Sequence, residues 1–302
     1  MNWILFALVG PAIWALVNHI DKYVINRYFS GPGVGSLVIF TSASGLLISL
    51  FILVFGFSQI FIGTIGALVI AINGALFVAA FIPYLYALEN EEASWASTLY
   101  QLIPVFGYVL ALIFLQEQLT IHQILASLLV IAGAIAISLD FSSKIQLKLR
   151  PFLLMVLSSF MIAVNALVFK IVALDQSFWG TVFWEYIGGG VFGFLLLVFI
   201  PLYRVQFFAT IERSRVAVIS INIGSEILNI IAKLAANFAS LLAPLALVWV
   251  VNGLQPVMVF VYGVILTIFL PRFGQEDLGR KTIIQKLLSM AVILLGIYLL
   301  FI

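Results

Sequence analysis

Long runs of apolar residues, separated by short polar stretches, organise this chain from end to end. A bilayer core of about 30 Å takes about 20 residues of α-helix. Membrane-spanning strands would instead be short and would alternate apolar with polar positions. These runs are continuous, so the pattern predicts an all-α integral membrane protein. It predicts ten spans: Asn2–Lys22, Val34–Gly56, Ile65–Leu88, Ala93–Leu115, Ile121–Leu139, Pro151–Leu174, Phe178–Ile200, Val216–Ala239, Pro244–Leu270 and Ile283–Ile302. Pro104 and Pro256 interrupt the fourth and ninth. Such prolines are tolerated where neighbouring groups satisfy the freed carbonyl.

Composition agrees with a lipid-facing exterior. Hydrophobic residues make up 64% of the 302 and charged residues 9%, and the mean hydropathy is +1.25. That leaves too little polar surface to clothe a water-soluble domain. The net charge of +2 points to no charged partner, and no basic tract suggests nucleic acid. With no cysteine, disulfides and thiolate metal sites are excluded. Met1–Leu16 holds no Lys or Arg, so the first apolar segment is expected to remain as a span, not to be cleaved as a signal peptide.

Charge sets the expected orientation. The loops after spans one, three, five, seven and nine carry Lys22, Arg27, Lys144, Lys148, Arg150, Arg204, Arg213, Arg215, Arg272, Arg280, Lys281 and Lys286. The opposite loops carry no clear basic residue, while Lys170 and Lys233 fall inside spans. By the positive-inside rule the basic side is cytoplasmic. Both termini are then expected outside the cytoplasm of a plasma or bacterial inner membrane.

The chain also resembles itself. Val17-Asn18 followed by Lys22 has a partner in Val164-Asn165 followed by Lys170. Leu102-Ile103-Pro104-Val105 matches Leu254-Gln255-Pro256-Val257, and Ile131-Ala132-Gly133-Ala134-Ile135 parallels Leu294-Leu295-Gly296-Ile297. The expected organisation is a five-span unit over 1–141, a basic cytoplasmic linker over 142–150, and a second five-span unit over 151–302. Five is odd, so the second unit must be inverted relative to the first, the usual plan of secondary transporters.

The stretch from Glu89-Asn90-Glu91-Glu92-Ala93-Ser94 through Leu102-Ile103-Pro104, with Glu117, Leu119-Thr120, Gln123 and Gly133, resembles the EamA-like family of the drug/metabolite transporter superfamily. In the second unit Pro256 and Gly296 fit, while the motif glutamate is lost or displaced to Glu276. Basic residues after the second span, common in that family, are missing here. The resemblance implies ten helices in two inverted halves and transport of small metabolites or drugs.

Ionisable groups in hydrocarbon are costly and normally face a cavity or a partner. Asn222, Glu226, Asn229, Lys233 and Asn237 recur at spacings of four, three, four and four on span eight, one stripe of one helix. The stripe either lines a translocation pathway or glues helices together. Asn18 on span one pairs by repeat with Asn165 on span six. Tyr100, Gln101, Asn252 and Gln255 lie beside the two prolines, where they could hydrogen-bond a solute or a neighbouring helix. Glu226 and Glu185 are candidates for proton coupling, or for a salt bridge to a buried lysine; Glu185 would reach Lys170 or Lys233. His19 is a third candidate, histidine being the side-chain type suited to taking up a proton under physiological conditions. Gly188-Gly189-Gly190, Gly193, Ser42, Ser44 and Gly45 read as helix-packing positions.

The expected function is secondary transport of a small metabolite or drug-like solute by alternating access, with export as the direction the resemblance implies. A lipid or lipid-carrier flippase of the same superfamily is the alternative. No Walker motif, HExxH or GxSxG occurs, and His19 and His122 are the only histidines. Neither an enzyme nor a cofactor or metal site is therefore expected. The expected partners are small-molecule cargo and the lipid bilayer.

Overall fold

The computed structural model describes residues 2–28, 33–56, 59–88, 99–138, 149–213, 216–270 and 279–300. They form α1 (Asn2–Tyr28), α2 (Val34–Phe55), α3 (Thr64–Leu88), α4 (Leu102–Phe114), α5 (Ile121–Ser138), α6 (Leu149–Asp175), α7 (Phe178–Phe199), α8 (Pro201–Arg213), α9 (Val216–Leu242), α10 (Leu245–Val251), α11 (Gln255–Phe269) and α12 (Arg280–Leu299). Among the described residues, eight helical stretches are long and apolar enough to cross a membrane, and α4 and α5 add shorter apolar helices. The chain is a multi-pass helical membrane protein. Its outward faces expose large apolar side chains such as Phe55, Ile65 and Leu288, the surface that acyl chains would cover.

Three local expectations change. Pro104 follows a break in the helical path, the turn at Tyr100–Gln101, and does not itself sit in mid-helix. It lies in the first turn of α4, whose amides lack intrahelical acceptors anyway. Residues 93–98 of the expected fourth span lie outside the described residues, as do Glu89, Glu91, Glu92, Lys144, Lys148, Arg215, Arg272 and Glu276. In span nine the break comes ahead of Pro256, as a 3-10 turn over Asn252–Leu254 between α10 and α11. A proline ring clashes with the carbonyl four residues back. That carbonyl is Asn252's, and it accepts from Gln255 N–H instead. Finally, Pro201–Arg213, expected as a loop around Arg204, is the helix α8. It docks on α2 through buried Tyr203, with Gln206 accepting from Gly35 N–H at 2.9 Å and Ser36 hydrogen-bonded to Thr210 at 2.8 Å.

Helix packing is long-range. α1 packs on α9, α3 on α6, α2 on α7, and α5 on α12; α4 meets α6 and α10, while α1 meets α11. α3 and α7 also pack along much of their length, whereas α2 and α9 touch little. The α3–α7 contact depends on glycine. A Cβ on Gly74 would lie 1.8 Å from the Glu185 carbonyl oxygen, and one on Gly188 would lie 1.9 Å from that of Ala71. The apolar interior falls into several clusters, two of them the largest. One gathers Ile70, Phe169, Val182 and Phe183 from α3, α6 and α7. The other gathers Val130, Val248, Phe260 and Ile293 from α5 and α10–α12. A cavity of about 270 Å³, lined from both halves of the chain, completes the interior.

Candidate functional site

The polar stripe of α9 reaches this cavity. Glu226, Asn229 and Lys233 line it, together with Asn18 of α1, Glu185 of α7, Tyr100 and Gln101 ahead of α4, and Asn252 and Gln255 around the break in span nine. Their helices place them there because an apolar face would leave no other exit from lipid. Asn237 is buried away from the cavity, and its carbonyl accepts from Ser240 Oγ. The side chain of Asn222 lies outside the described residues. His19 turns to α11, donating from Nε2 to the Val259 carbonyl at 2.9 Å, and does not line the cavity.

Glu226 faces α2. Its Oε1 accepts from Thr41 Oγ1 at 2.7 Å, and Oε2 from Ser44 Oγ at 3.4 Å. Ser44, expected as a packing position, is thus also a donor to a carboxylate. Lys233 takes a different acid. Its Nζ lies 3.2 Å from Glu185 Oε1 and 3.1 Å from the centroid of the Phe77 ring. An ammonium over an aromatic face is attracted by the ring quadrupole. Lys233 and Glu185 are 9% and 1% exposed as side chains, so the pair is desolvated.

Asn165 stands behind the wall and orients Glu185. Its Nδ2 donates to Glu185 Oε1 at 2.8 Å and to the Asn73 carbonyl at 3.1 Å. Asn73 of α3 returns a bond to the Asn165 carbonyl at 3.0 Å and reaches Glu185 Oε1 at 3.4 Å. Glu185, Asn73 and Asn165 therefore form one network tying α3, α6 and α7. Asn73 was not among the residues expected from sequence, although a lone amide inside an apolar span is a readable signal. Thr41 carried no such signal, since a small hydroxyl in a membrane helix is equally a packing residue.

Lys170 is not Glu185's partner. It pairs with Glu117 and donates to the Ala243 carbonyl at 2.7 Å. The other Glu117 oxygen accepts from Leu245 N–H at 2.8 Å, capping the start of α10. The turn that aims Glu117 inward runs through Gln116, the one non-glycine residue with positive φ (55°) among the described residues. Glu117 N–H bonds back to the Ala111 carbonyl at 3.2 Å, which closes α4. Thr120 and Gln123 then form a reciprocal capping box for α5, at 3.0 and 3.2 Å. The Glu117, Thr120 and Gln123 positions singled out by motif thus have definite structural work.

Aromatic rings make up much of the remaining wall. Trp14 and Trp249 lie parallel, with centroids 6.3 Å apart and planes within 8°. Tyr84 and Tyr100 approach to 5.0 Å. All four line the cavity.

Residues 1–139 match the EamA-like transporter family. An uncharacterized transporter of Clostridium kluyveri is 30% identical over 144 residues, which cover 47% of this chain and 44% of that protein. The match thus spans less than half of that relative's length. A protein crystal structure 12% identical to this chain superposes over 99% of this chain and 96% of its own, with a TM-score of 0.69, a likeness of fold alone. Motif, matched segment and helical architecture coincide in the first half, where residues 1–139 are similar to the EamA-like transporter family.

Proposed function

We propose that this protein is a secondary transporter. It moves a small polar or amphiphilic solute through the central cavity by alternating access of two inverted five-span halves, 1–141 and 151–302. The observation that carries the reading is that Glu226 and Lys233, on one face of α9, both border a cavity to which both halves contribute. The packing pattern supports the inverted plan. Exchanging the halves turns the α1–α9 contact into the α6–α3 contact and the α4–α6 contact into the contact of α10 and α11 with α1, and it maps α2–α7 and α5–α12 onto themselves. The largest departure from that symmetry is that α3–α7 is closely packed while its counterpart α9–α2 is sparse. That is the asymmetry expected when one of two alternative tilts is occupied.

At about 270 Å³ the cavity falls just under the span of about 300–1,000 Å³ usual for small-molecule sites, which favours a small solute over a lipid carrier. Glu226, hydrogen-bonded by hydroxyls and open to the cavity, is the group proposed to carry a coupling proton, with export as the direction. The ten-span topology, with both termini outside the cytoplasm of a cell membrane, belongs to the same proposal.

The test is flux into proteoliposomes and resistance of expressing cells across a compound panel. Glu226→Gln keeps an acceptor for Thr41 and the fold, and should change flux and its dependence on a proton gradient. Asn229→Leu, which removes a polar cavity group and no charge, should also alter flux. Parental flux in both variants would exclude the pathway.

A further inference from the structure

We propose that Asn252 is the orienting residue of a subsite for a planar amide or lactam, so that the cargo carries adjacent N–H and C=O groups on a flat ring. The inference rests on the reading that the cavity carries cargo.

Asn252 opens the 3-10 turn between α10 and α11, lines the cavity and is 8% exposed. Both Oδ1 and Nδ2 are buried, and neither has a hydrogen-bond partner among the described residues. Buried amides are nearly always satisfied, so an orphan on a residue that lines a cavity awaits a partner that the protein itself does not supply. A polar group held ready in this way also rejects solutes that cannot complete it.

The surroundings narrow the chemistry. An asparagine side chain presents one acceptor and one donor in a single plane. Its complement is likewise a coplanar pair of carbonyl and N–H. Gly10 keeps room for the amide, since a Cβ there would lie 3.2 Å from Asn252 Oδ1 and 3.0 Å from the Trp14 ring. The parallel Trp14 and Trp249 indoles and the Tyr84–Tyr100 pair give the cavity flat apolar walls. Gln101, 8% exposed, adds a second amide on this part of the wall, with its Oε1 3.7 Å from the Cβ position of Gly253. Flat walls with uncharged amide groups fit a flat, uncharged, amide-bearing ring.

The experiment uses the full chain in lipid nanodiscs, with nicotinamide and uracil as probes. Binding is read by indole fluorescence and by thermal shift. Both probes should bind, and N,N-dimethylnicotinamide, which has no amide N–H, should bind about tenfold more weakly. Asn252→Leu should keep the fold and lose about tenfold or more in nicotinamide affinity. Asn252→Asp, which lacks the amide donor, should lose affinity as well. Failure of both probes to bind the parent, or parental affinity in the Asn252→Leu or Asn252→Asp variant, overturns the proposal. Flux separates it from the transport reading. If nicotinamide binds through Asn252 but no probe crosses the membrane, transport falls and the subsite stands. If Glu226-dependent flux of other solutes proceeds with no nicotinamide binding or competition, the subsite falls and transport stands.

Discussion

Glu185 of α7 holds the ammonium of Lys233 of α9 at 3.2 Å, with Asn165 and Asn73 donating to the same carboxylate oxygen from behind. A buried ion pair gains little over an apolar pair of similar shape, but losing one partner strands the other charge. The pair thus ties α9 to the packed α3–α6–α7 unit.

Lys233→Met leaves the Glu185 carboxylate buried opposite an apolar group. It should lower stability by about 3–5 kcal/mol, read as a fall in thermal or denaturant midpoint in detergent. The double variant Glu185→Gln/Lys233→Met should recover most of the loss, because Gln still accepts from Asn165. A double variant no better than the single one would mean that the two side chains are not coupled.

Glu117 links α4, α6 and α10 through Lys170 and Leu245 N–H. Glu117→Ala strands the Lys170 ammonium, whose side chain is 6% exposed, and uncaps α10. The expected cost is about 3 kcal/mol or more. Glu117→Gln, whose single amide oxygen can still accept from one of the two donors, should cost less. Equal melting of the two variants would contradict the described geometry.

Gly188→Ala drives a methyl into the Ala71 backbone carbonyl, a contact of 1.9 Å that no rotamer can relieve. Backbone must move, so the loss should reach at least about 1–3 kcal/mol. Gly107→Ala has open space around its Cβ position and should be neutral or slightly stabilising through helix propensity. Thermal melts of the two variants side by side make the comparison.

Gln116 occupies a left-handed conformation with φ 55° at the end of α4. Glycine adopts that conformation without a Cβ penalty. Gln116→Gly should therefore hold or raise the melting temperature, and Gln116→Val should lower it, β-branching being least compatible with positive φ.

Span positions were legible in the sequence wherever apolar runs were long, and α2, α3 and α7 follow the expected bounds within a residue or so. Residues around 201–213 were not. Their hydropathy is neither that of a span nor that of a plain loop, and only docking of Tyr203 and Gln206 on α2 makes α8 a helix with a place. The α9 stripe was visible as spacing along one helix, and its central members Glu226, Asn229 and Lys233 do share a cavity. Asn165 and His19 carried the same kind of signal yet lie off the cavity. A polar residue must avoid lipid, but helical periodicity does not say whether it meets water or a neighbour.

The chain's own pattern thus determined that it is helical, that it lies in a membrane, and which face of α9 must turn inward. All three follow from the cost of placing polar groups in hydrocarbon, a local property of each segment. Partner choice was decided only by the tertiary structure. Lys233 meets Glu185, Lys170 meets Glu117 and Glu226 meets Thr41 across distances of 48, 53 and 185 residues along the chain. Such pairings depend on the rotation and closeness of whole helices, set by contacts such as Gly74 against Glu185 and Gly188 against Ala71, and no single segment encodes them.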